Sequence, residues 1–549
     1  MTQLRRTRVF TGAVALTAAL LATSPAPVAA AGTAMPTTCS DLTVTAGEMR
    51  CFSTVDPTTV TPAEENTTAP DGLSPQDIAS LYDLPAVPAD VPTGSGPTVA
   101  VVDAGGTPTL ESDLAAYREQ YGLGECSIAS GCLTVMSQTG STDSLPALID
   151  GWDFETALDA EAVASACPAC RILVVQADSA NADDLDAATA TAADRAPYVS
   201  MSFGSDDATL GASDVASTEA IFAAHPDVTF VAASGDLGYA TYDRADGEIC
   251  GGDVRISRTL VSANCAQYPA TSAHVIAVGG TTATNAGTAA APSWSQTAWN
   301  PQESDLNGGG ASSGCSGWAA MPAAQASAAQ AVAACGSARA ATDISAVADG
   351  FAMYHPDPEG SGRSWWVAGG TSLSSPLIAA MYARAGNNTD PFDIYTRAAA
   401  EPSAFTDVTS GATRGCDTTA DTPHLCSAST GWDGPTGLGT PHGLASLQPY
   451  TPRTTSTTTS QAPKHVAHRG RVRVLGTARV GAVLRASYGV FTPSTKVSVA
   501  WFVDGHRVAS GRRLRVRRGW RHERIRYVVT ASATGFTSLS LSSPVVRIR

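Results

Sequence analysis

One serine of the chain stands in a setting that suits a nucleophile. Ser372 lies in the segment Gly-Thr-Ser-Leu-Ser-Ser-Pro at 370–376, and the apolar stretch 377–383 follows it directly. Small residues let a substrate approach the backbone closely, and the N-terminal end of a helix favours negative charge beside the hydroxyl. The segment therefore predicts either a nucleophilic serine or an ordinary helix cap, for which Ser and Thr are the usual residues.

A serine hydroxyl is a poor nucleophile until a neighbouring group accepts its proton. The strand that ends in Asp103, with a later Gly-Thr-Ser segment, resembles subtilisin-like peptidases, but those need a His-Gly-Thr segment after the first strand. The chain has no such segment. Five histidines are instead expected at surface or loop positions: His225, His274, His355, His424 and His442. A carboxylate is therefore the expected base.

An acidic helix offers such a carboxylate. The segment 152–164 predicts a helix with Asp153 as its cap, and Glu155 and Asp159 lie four residues apart on one face. An adjoining apolar stripe is expected to draw at least part of this pair out of water, which raises the pKa of one member. The alternative is a solvated acidic face on an acidic protein.

A third carboxyl group follows a predicted buried strand. Asp236 stands in the segment Ser-Gly-Asp-Leu-Gly at 234–238, directly after the strand 228–233. Kept protonated by its surroundings, Asp236 could donate a hydrogen bond to an oxyanion. A plain turn aspartate is the competing interpretation.

Together these segments resemble the sedolisin family of serine-carboxyl peptidases, whose motifs appear here in family order as ETALD at 155–159, SGD at 234–236 and GTSLSSP at 370–376. Further matches are YPATSAHVIAVGGT at 268–281, ATDISAVAD at 341–349 and STGWDGPTGLGTP at 429–441, so the resemblance covers about residues 70–450. It implies a subtilisin-like fold and an endopeptidase that hydrolyses protein or peptide substrates at acidic pH. It also implies the roles of four residues: Ser372 as nucleophile, Glu155 as general base, Asp159 as the group that orients Glu155, and Asp236 as oxyanion donor.

The same resemblance implies one structural calcium ion. The matching ligands are the side chains of Asp407 and Asp433 and the backbone carbonyls of Val408, Ser429 and Gly431. Oxygen ligands with two carboxylates suit a hard cation. Ser429 stands where the family usually has glycine, which matters only if that residue needs a positive φ.

Short apolar strands alternate with helical segments over the same region. This alternation predicts an α/β fold, a subtilisin-like parallel sheet flanked by helices, with the active site beyond the carboxyl ends of the strands. The predicted strands are 98–103, 172–175, 198–203, 228–233 and 275–278, and the predicted helices include 110–121, 182–195 and 212–224.

The chain begins with the features of an exported protein. Three arginines, an apolar stretch at 9–21 and the small residues 28–30 predict a signal peptide over 1–30. Twelve cysteines fit an oxidising compartment. Six local disulfides are expected, between Cys39 and Cys51, Cys126 and Cys132, Cys167 and Cys170, Cys250 and Cys265, Cys315 and Cys335, and Cys416 and Cys426. A redox pair or half a zinc site is the alternative for Cys167 and Cys170.

Charge divides the chain into two parts. Residues 461–549 carry 18 Lys plus Arg against 2 acids, whereas the other 460 residues carry 16 against 48. The expected order is a short pro-segment or arm at 31–70, a peptidase-like domain at 71–450, a Thr/Ser/Pro linker at 451–465 and a basic immunoglobulin-like all-β sandwich at 466–549. The basic part favours polyanionic surfaces such as cell wall or membrane headgroups, and the acidic part disfavours nucleic acid.

Two other functions are compatible with this domain organisation. The first is a catalytically weak secreted protein that binds a surface and keeps only a peptidase scaffold. The second is an esterase or amidase that uses the same serine, although Ser372 does not lie in a Gly-x-Ser-x-Gly elbow. The expected protein is a secreted, extracellular monomer.

Overall fold

The computed structural model falls into two compact units, Met1–Tyr450 and Thr451–Arg549. It describes all residues except 1–35, 40–41, 43, 45–46, 63–69, 208–209, 240–264, 302–309, 357–362, 414–423, 451–463, 493–495, 534–535 and 538. The predicted signal peptide and most of the predicted linker lie outside the described residues. No helix in the described ranges is both long enough and apolar enough to cross a bilayer.

In the described part of the first unit the helices are α1 (Pro75–Leu81), α2 (Leu110–Tyr121), α3 (Trp152–Ala166), α4 (Ala182–Ala193), α5 (Ala216–Ala224), α6 (Ala329–Cys335), α7 (Thr371–Ala385) and α8 (Asp393–Ala400). The strands are β1 (Arg50–Cys51), β2 (Thr54–Pro62), β3 (Thr98–Ala104), β4 (Leu133–Ser137), β5 (Arg171–Ala177), β6 (Tyr198–Met201), β7 (Phe203–Asp206), β8 (Thr229–Ala233), β9 (Gln267–Tyr268), β10 (Val275–Asn285), β11 (Trp294–Ala298), β12 (Cys315–Ala320), β13 (Ala338–Ala340), β14 (Ile344–Val347), β15 (Phe351–Pro356), β16 (Arg363–Gly369), β17 (Phe405–Thr406) and β18 (Thr440–Pro441).

A parallel sheet forms the centre of the first unit, with strand order β4-β5-β3-β6-β8-β10-β14. Strand β11 extends one edge by pairing antiparallel with the end of β10. On β3, Val99 and Val101 pack into the core that contains α3 and α7, whereas Ala100 and Val102 pack into the core that contains α4 and α5. The sheet is therefore buried on both faces, which explains the continuous apolar runs of its strands and confirms the predicted fold class.

Element boundaries agree with the sequence pattern where packing is regular. Helix α2 has the predicted bounds, but α5 begins at Ala216, four residues after its predicted start. The predicted strand 198–203 is interrupted at Ser202, which separates β6 from β7. The predicted cap of α3 is wrong: Gly151 is the N-cap, and Asp153 lies in the first turn, where its Oδ1 accepts the Gly151 N–H at 3.0 Å.

The segment predicted as an irregular arm contains strands. Strand β1 pairs antiparallel with β7, and β2 pairs antiparallel with β16. The run Thr-Val-Asp-Pro-Thr-Thr-Val-Thr at 54–61 is rich in β-branched residues, which favour extended backbone. The partner of β1 lies roughly 150 residues further along the chain and the partner of β2 roughly 300 residues further, so the local pattern gives no sign of either pairing.

Four of the six expected disulfides are present: Cys39–Cys51, Cys126–Cys132, Cys167–Cys170 and Cys315–Cys335. The Cys167–Cys170 bond excludes a zinc site at that pair in this state. Cys265 and Cys426 are also disulfide-bonded. Their predicted partners, Cys250 and Cys416, lie outside the described residues.

The second unit is built from short, mostly antiparallel strands around a core of its own. Strand β24 (Lys496–Val503) pairs with β25 (His506–Ser510) and β27 (Arg524–Ser532), and Trp501 on β24 is fully buried. The predicted turn is correct, because Asp504 and Gly505 join β24 to β25 and both have positive φ. The first strand begins at Lys464, two residues before the predicted domain boundary. The strands are β19 (Lys464–His465), β20 (Ala467–Arg469), β21 (Arg473–Leu475), β22 (Val483–Ser487), β23 (Val490–Thr492), β24 (Lys496–Val503), β25 (His506–Ser510), β26 (Arg513–Arg515), β27 (Arg524–Ser532), β28 (Phe536–Thr537), β29 (Leu539–Ser542) and β30 (Val546–Arg547).

Candidate active site

The predicted nucleophile lies at the start of a buried helix. Ser372 is the second residue of α7, which begins at Thr371, well before the apolar stretch that the sequence marks. Gly370 caps the helix with φ 108°, a conformation that residues with a side chain rarely adopt. Ser372 is fully buried, and its Oγ donates to the Ser202 carbonyl oxygen at 3.4 Å. The hydroxyl is therefore held at the carboxyl edge of the sheet, beside the end of β6.

Helix α3 brings two carboxylates to the same place. Glu155 and Asp159 are both fully buried, so the predicted solvated face is excluded. Burial raises the pKa of Glu155 well above its usual range, with a further increase from the charge of Asp103, whereas the hydroxyls of Ser372 and Ser53 lower it. Glu155 thus lies near enough to the predicted nucleophile for the Ser372 hydroxyl to affect its pKa.

Asp159 lies one helical turn beyond Glu155 and is fixed by a serine. The Ser202 hydroxyl contacts both carboxylate oxygens, at 2.8 and 3.0 Å. Burial raises the pKa of Asp159, and the charges of Asp103 and Glu155 add to this increase. Ser202 is therefore a link between Asp159 and the Ser372 backbone, whose carbonyl oxygen lies 3.4 Å from its hydroxyl.

A third carboxylate of this cluster was not assigned a role from the sequence. Asp103, near the end of β3, places a carboxylate oxygen within 4.8 Å of those of Glu155 and Asp159. Burial raises its pKa to about 7, and the neighbouring Thr156 hydroxyl partly offsets the increase. The sequence does carry one signal for a functional role of Asp103: it is a single carboxylate in an otherwise apolar buried strand, at the sheet edge where active sites form.

Asp236 reaches the site from the loop after β8. Its Oδ1 accepts hydrogen bonds from the Thr371 N–H at 2.8 Å and the Thr371 hydroxyl at 2.7 Å. Its Oδ2 is buried and has no hydrogen-bond partner among the described residues. Burial raises the pKa of Asp236 to about 7, whereas Thr371 and the charge of Arg50 lower it. Once protonated on Oδ2, this carboxyl group can donate a hydrogen bond from that oxygen, next to the start of α7.

The residues expected to bind calcium lie on two segments of the chain, 407–408 and 429–433, which a hydrogen bond between Asp407 and Gly431 joins. Asp433 Oδ2 accepts the Ser429 N–H at 2.8 Å, and Asp407 Oδ2 accepts the Gly431 N–H at 3.0 Å. Burial raises the pKa of Asp433 to about 7, and the Asp407 charge adds to the increase, so the two carboxylates repel each other. Val408 follows Asp407 with its side chain buried. Ser429 does not have a positive φ, so the glycine-to-serine departure carries no backbone strain.

One histidine contradicts its predicted surface position. His355 on β15 is 4% exposed, and its ring nitrogens lie 3.8 Å from Asp113 Oδ2 and 3.5 Å from Asp153 Oδ2. The imidazole thus lies in the interior between two carboxylates, which the isolated sequence context does not indicate, and its Nδ1 has no hydrogen-bond partner among the described residues. Its described contacts do not include Ser372, so the expectation that it is not the base is unchanged.

Known proteins are similar to the chain in sequence and in fold. No protein-family model matches the chain. Kumamolisin from Bacillus sp. (strain MN-32) is 29% identical over 401 residues, a match that covers 71% of this chain and 66% of kumamolisin. Xanthomonalisin from Xanthomonas sp. (strain T-22) is 28% identical over 402 residues, covering 66% of this chain and 44% of xanthomonalisin. The chain thus spans between about half and two thirds of the length of these curated relatives.

A solved structure shows the same fold. The Pseudomonas sedolisin, a serine-carboxyl proteinase crystallised with two molecules of pseudo-iodotyrostatin, superposes with a TM-score of 0.55 at 25% sequence identity. The match covers 69% of this chain and 98% of that one. The chain is therefore similar in sequence to kumamolisin and xanthomonalisin, and similar to the Pseudomonas sedolisin in its subtilisin-like fold.

Proposed function

We propose that this protein is a serine-carboxyl endopeptidase that hydrolyses peptide bonds at acidic pH. The observation that carries the proposal is the convergence of Ser372 with Glu155, Asp159 and Asp236 at one edge of the sheet. Relatives of the sedolisin group support the same reaction class. The match to the Pseudomonas sedolisin, a serine-carboxyl proteinase, extends over 98% of that protein, which favours an enzyme over a scaffold that only binds.

The proposed reaction proceeds through an acyl-enzyme. Glu155 accepts the proton of Ser372, whose Oγ attacks the peptide carbonyl carbon, and Asp159 holds a charge beside Glu155. Protonated Asp236 donates through its Oδ2 to the oxyanion that forms. Glu155 then returns the proton to the leaving amine, and water hydrolyses the ester to free Ser372.

The pH range follows from the same groups. Asp236 must be protonated to donate, and its pKa of about 7 means that the donor is lost as pH rises through that value. Glu155 must be ionised to accept a proton, so its own titration limits activity at the acidic end. We therefore expect a bell-shaped pH profile of activity with its maximum below neutrality. Because the carboxyl groups interact, each limit of this profile reports the titration of all of them together and not of a single residue.

Digestion of casein at pH 4 tests the proposal. The wild-type chain should release peptides, whereas Glu155→Ala should reduce the rate by at least about a hundredfold, since general-base catalysis contributes 10²–10⁴. A matched control is Glu111→Ala on α2, an acidic residue outside the site. Equal rates for wild type and Glu155→Ala would contradict the proposal.

We also propose that the loop around Asp407 and Asp433 holds one calcium ion. Two carboxylates that lie close enough to repel each other, with backbone carbonyls of Val408, Ser429 and Gly431 nearby in sequence, form the all-oxygen ligand set that calcium prefers. A bound cation would remove the repulsion and fix the loop, and it takes no part in the chemistry at Ser372.

Calcium removal should therefore act on stability. The midpoint of thermal unfolding should fall in EDTA and recover with excess calcium but not with magnesium, since ligand binding stabilises the folded state by mass action. In Asp433→Asn the added calcium should have much less effect. An unchanged midpoint in EDTA would contradict a structural calcium ion.

The proposed setting is extracellular. Four observed disulfides fit export into an oxidising compartment, and the signal pattern at 1–30 is the feature that predicts it. For the second unit, we propose contact with cell wall or another anionic surface, because this unit has an excess of arginine. We also propose that the protein acts on protein and peptide substrates, that it is a monomer, and that its domains have the limits predicted from the sequence.

A further inference from the structure

One sheet of the second unit has an outer surface that is both basic and partly apolar. Strands β21, β22 and β26 form this three-stranded antiparallel sheet. Leu484, Ala486 and Leu514 pack into the core of the unit, so the residues that alternate with them along the strands face outward. The outward residues form a surface termed the basic face. Its members, all exposed, are Arg473, Leu475, Val483, Arg485, Arg513 and Arg515.

The arginines of the basic face lie side by side. Arg485 and Arg513 are directly opposite each other on neighbouring strands, and Arg515 follows Arg513 on the same face. Arg473 lies on the edge strand β21, opposite Ser487. Like charges that are directly opposite in a sheet destabilise it. This arrangement therefore has a cost that a bound anion would remove.

The second unit offers these arginines no counter-charge in the part of the chain that the structure describes. Residues 461–549 contain two acids, Asp504 and Glu523, and neither belongs to the three strands of the sheet. The ion pairs seen between described side chains all lie in the first unit. Elsewhere in the second unit an arginine can stack on an aromatic ring, as Arg512 does on Tyr488. The guanidinium groups of the basic face make no such contact among the described residues, so they are available to an external anion.

Exposed aliphatic side chains lie among these charges. Leu475 and Val483 are 48% and 44% exposed, and Leu475 lies directly opposite Arg485. Val480, in the turn that joins β21 to β22, is 37% exposed. Three of the five exposed large aliphatic side chains among the described residues of the second unit are thus on one hairpin. A soluble polyanion gains nothing from such side chains, whereas a bilayer takes them out of water at the boundary between headgroups and acyl chains.

We propose that the basic face docks the protein on a lipid bilayer that contains anionic phospholipids. The inference rests on the anionic-surface contact of the proposed function, and it names the residues and the partner. The arginines pair with lipid phosphate groups, and the aliphatic side chains of the hairpin enter the boundary beneath them. Long arginine side chains suit this position, because their apolar stems reach inward while the charge stays at the level of the phosphates. The first unit, joined in the same chain, is thereby kept near the membrane.

Docking of this kind must act locally, because the protein as a whole carries a net charge of −16 at pH 7. An anionic surface repels that total charge, so general attraction does not give binding. Salt limits the reach of each charge to about 10 Å at 0.1 M. A face of closely spaced arginines is therefore attracted to the bilayer while acids far from it have little effect.

Flotation of the full chain with lipid vesicles at neutral pH tests the inference. One set of vesicles contains phosphatidylcholine with about a third phosphatidylglycerol, and the other contains phosphatidylcholine alone. We expect binding to the anionic vesicles only, with a partition coefficient that falls as salt is added.

Neutralising the opposed arginines identifies the face. One arginine near an anionic bilayer strengthens binding about fivefold, so Arg485→Gln combined with Arg513→Gln should lower the partition coefficient roughly twentyfold. The matched control, Arg507→Gln combined with Arg524→Gln, removes the same charge from exposed positions of the other sheet, on β25 and β27. The control should lower binding less than about threefold. Thermal unfolding of each variant shows that it is folded.

Two substitutions in the hairpin distinguish a bilayer from a soluble polyanion. Leu475→Ser combined with Val483→Ser removes the aliphatic contact and should weaken vesicle binding about tenfold. Binding to polyphosphate, which has no acyl chains, should change less than about twofold in the same variant.

Four results would overturn the inference: equal binding to the two kinds of vesicle, no binding to either, equal losses in the arginine pair and its control, or unchanged vesicle binding in the hairpin variant. The last result would indicate an anionic polymer as the partner. Cleavage of a peptide library in acid is measured with the same wild-type preparation. Cleavage without vesicle binding would reject this inference alone, whereas vesicle binding without cleavage would reject the proposed peptidase activity alone.

Discussion

At the scale of single residues, the two oxygens of Asp236 have different surroundings. Oδ1 accepts two hydrogen bonds from Thr371, while Oδ2 is buried without a partner. A carboxylate in that position leaves a charge uncompensated, whereas a carboxylic acid can place its hydrogen on Oδ2. Burial favours the acid and raises the pKa to about 7, so the group that stabilises an oxyanion is available only in acid.

Asp236→Asn tests this assignment. The amide keeps the Oδ1 acceptor for Thr371 and supplies an N–H donor at every pH, so activity at pH 5 should fall by no more than about tenfold. The loss of kcat/KM at high pH should move upward, because the donor no longer titrates. Asp236→Ala, without a donor, should lose about 10²–10³ in kcat. An alkaline limit that stays in place in Asp236→Asn would contradict the role.

At the scale of elements, the site forms where three strand ends meet two helices. Strand β3 supplies Asp103, the ends of β6 and β8 supply Ser202 and Asp236, and α3 and α7 supply the carboxylate pair and Ser372. The alternation of apolar strands and helices made this sheet predictable, and motif order made four of the site residues predictable. The role of Asp103 could not be predicted, because its proximity to α3 depends on how the strand and the helix pack and not on the spacing of residues in the sequence.

The N-terminal strands show a second limit of sequence reasoning. Residues 50–62 have little hydrophobic alternation, and their stability comes from partners that are distant in the chain. The same applies to His355, whose buried position depends on Asp113 and Asp153 from two other elements. Local patterns indicate which residues form a strand or helix, but they do not indicate what a polar side chain will contact.

Asp103→Asn tests the coupling between β3 and α3. Asp103 raises the pKa of Glu155 and of Asp159 and has a raised pKa itself. Between about pH 4 and 7 the folded state therefore binds more protons than the unfolded state, so the free energy of unfolding falls as pH rises through this window. The variant removes one such group, and it should be more stable than wild type at pH 8 by roughly 1–3 kcal/mol.

Thermal unfolding at pH 5 and pH 8 measures this effect. Wild type should be more stable at pH 5, and Asp103→Asn should narrow the difference mainly by gaining stability at pH 8. The exposed Asp143→Asn is the control and should follow wild type. The acidic limit of the activity profile should also move to lower pH in Asp103→Asn. Equal loss of stability at both pH values would contradict the electrostatic account.

At the scale of the whole molecule, an acidic unit with the candidate site is joined to a basic unit of short strands. The first unit has a sheet buried on both faces and a site whose carboxyl groups have raised pKa values. The raised pKa values favour the protonated state of that site. The change in charge along the chain could be predicted from composition, whereas the use of the basic unit could not, because a charged surface does not specify its ligand.

The most direct test of the central claim is the pH profile of cleavage of a mixed peptide library, with products identified by mass spectrometry. We predict cleavage by the wild-type chain in acid, loss of activity as pH rises through about 7, and no cleavage by Ser372→Ala at any pH. Full activity at pH 8, or undiminished cleavage by Ser372→Ala, would contradict the account.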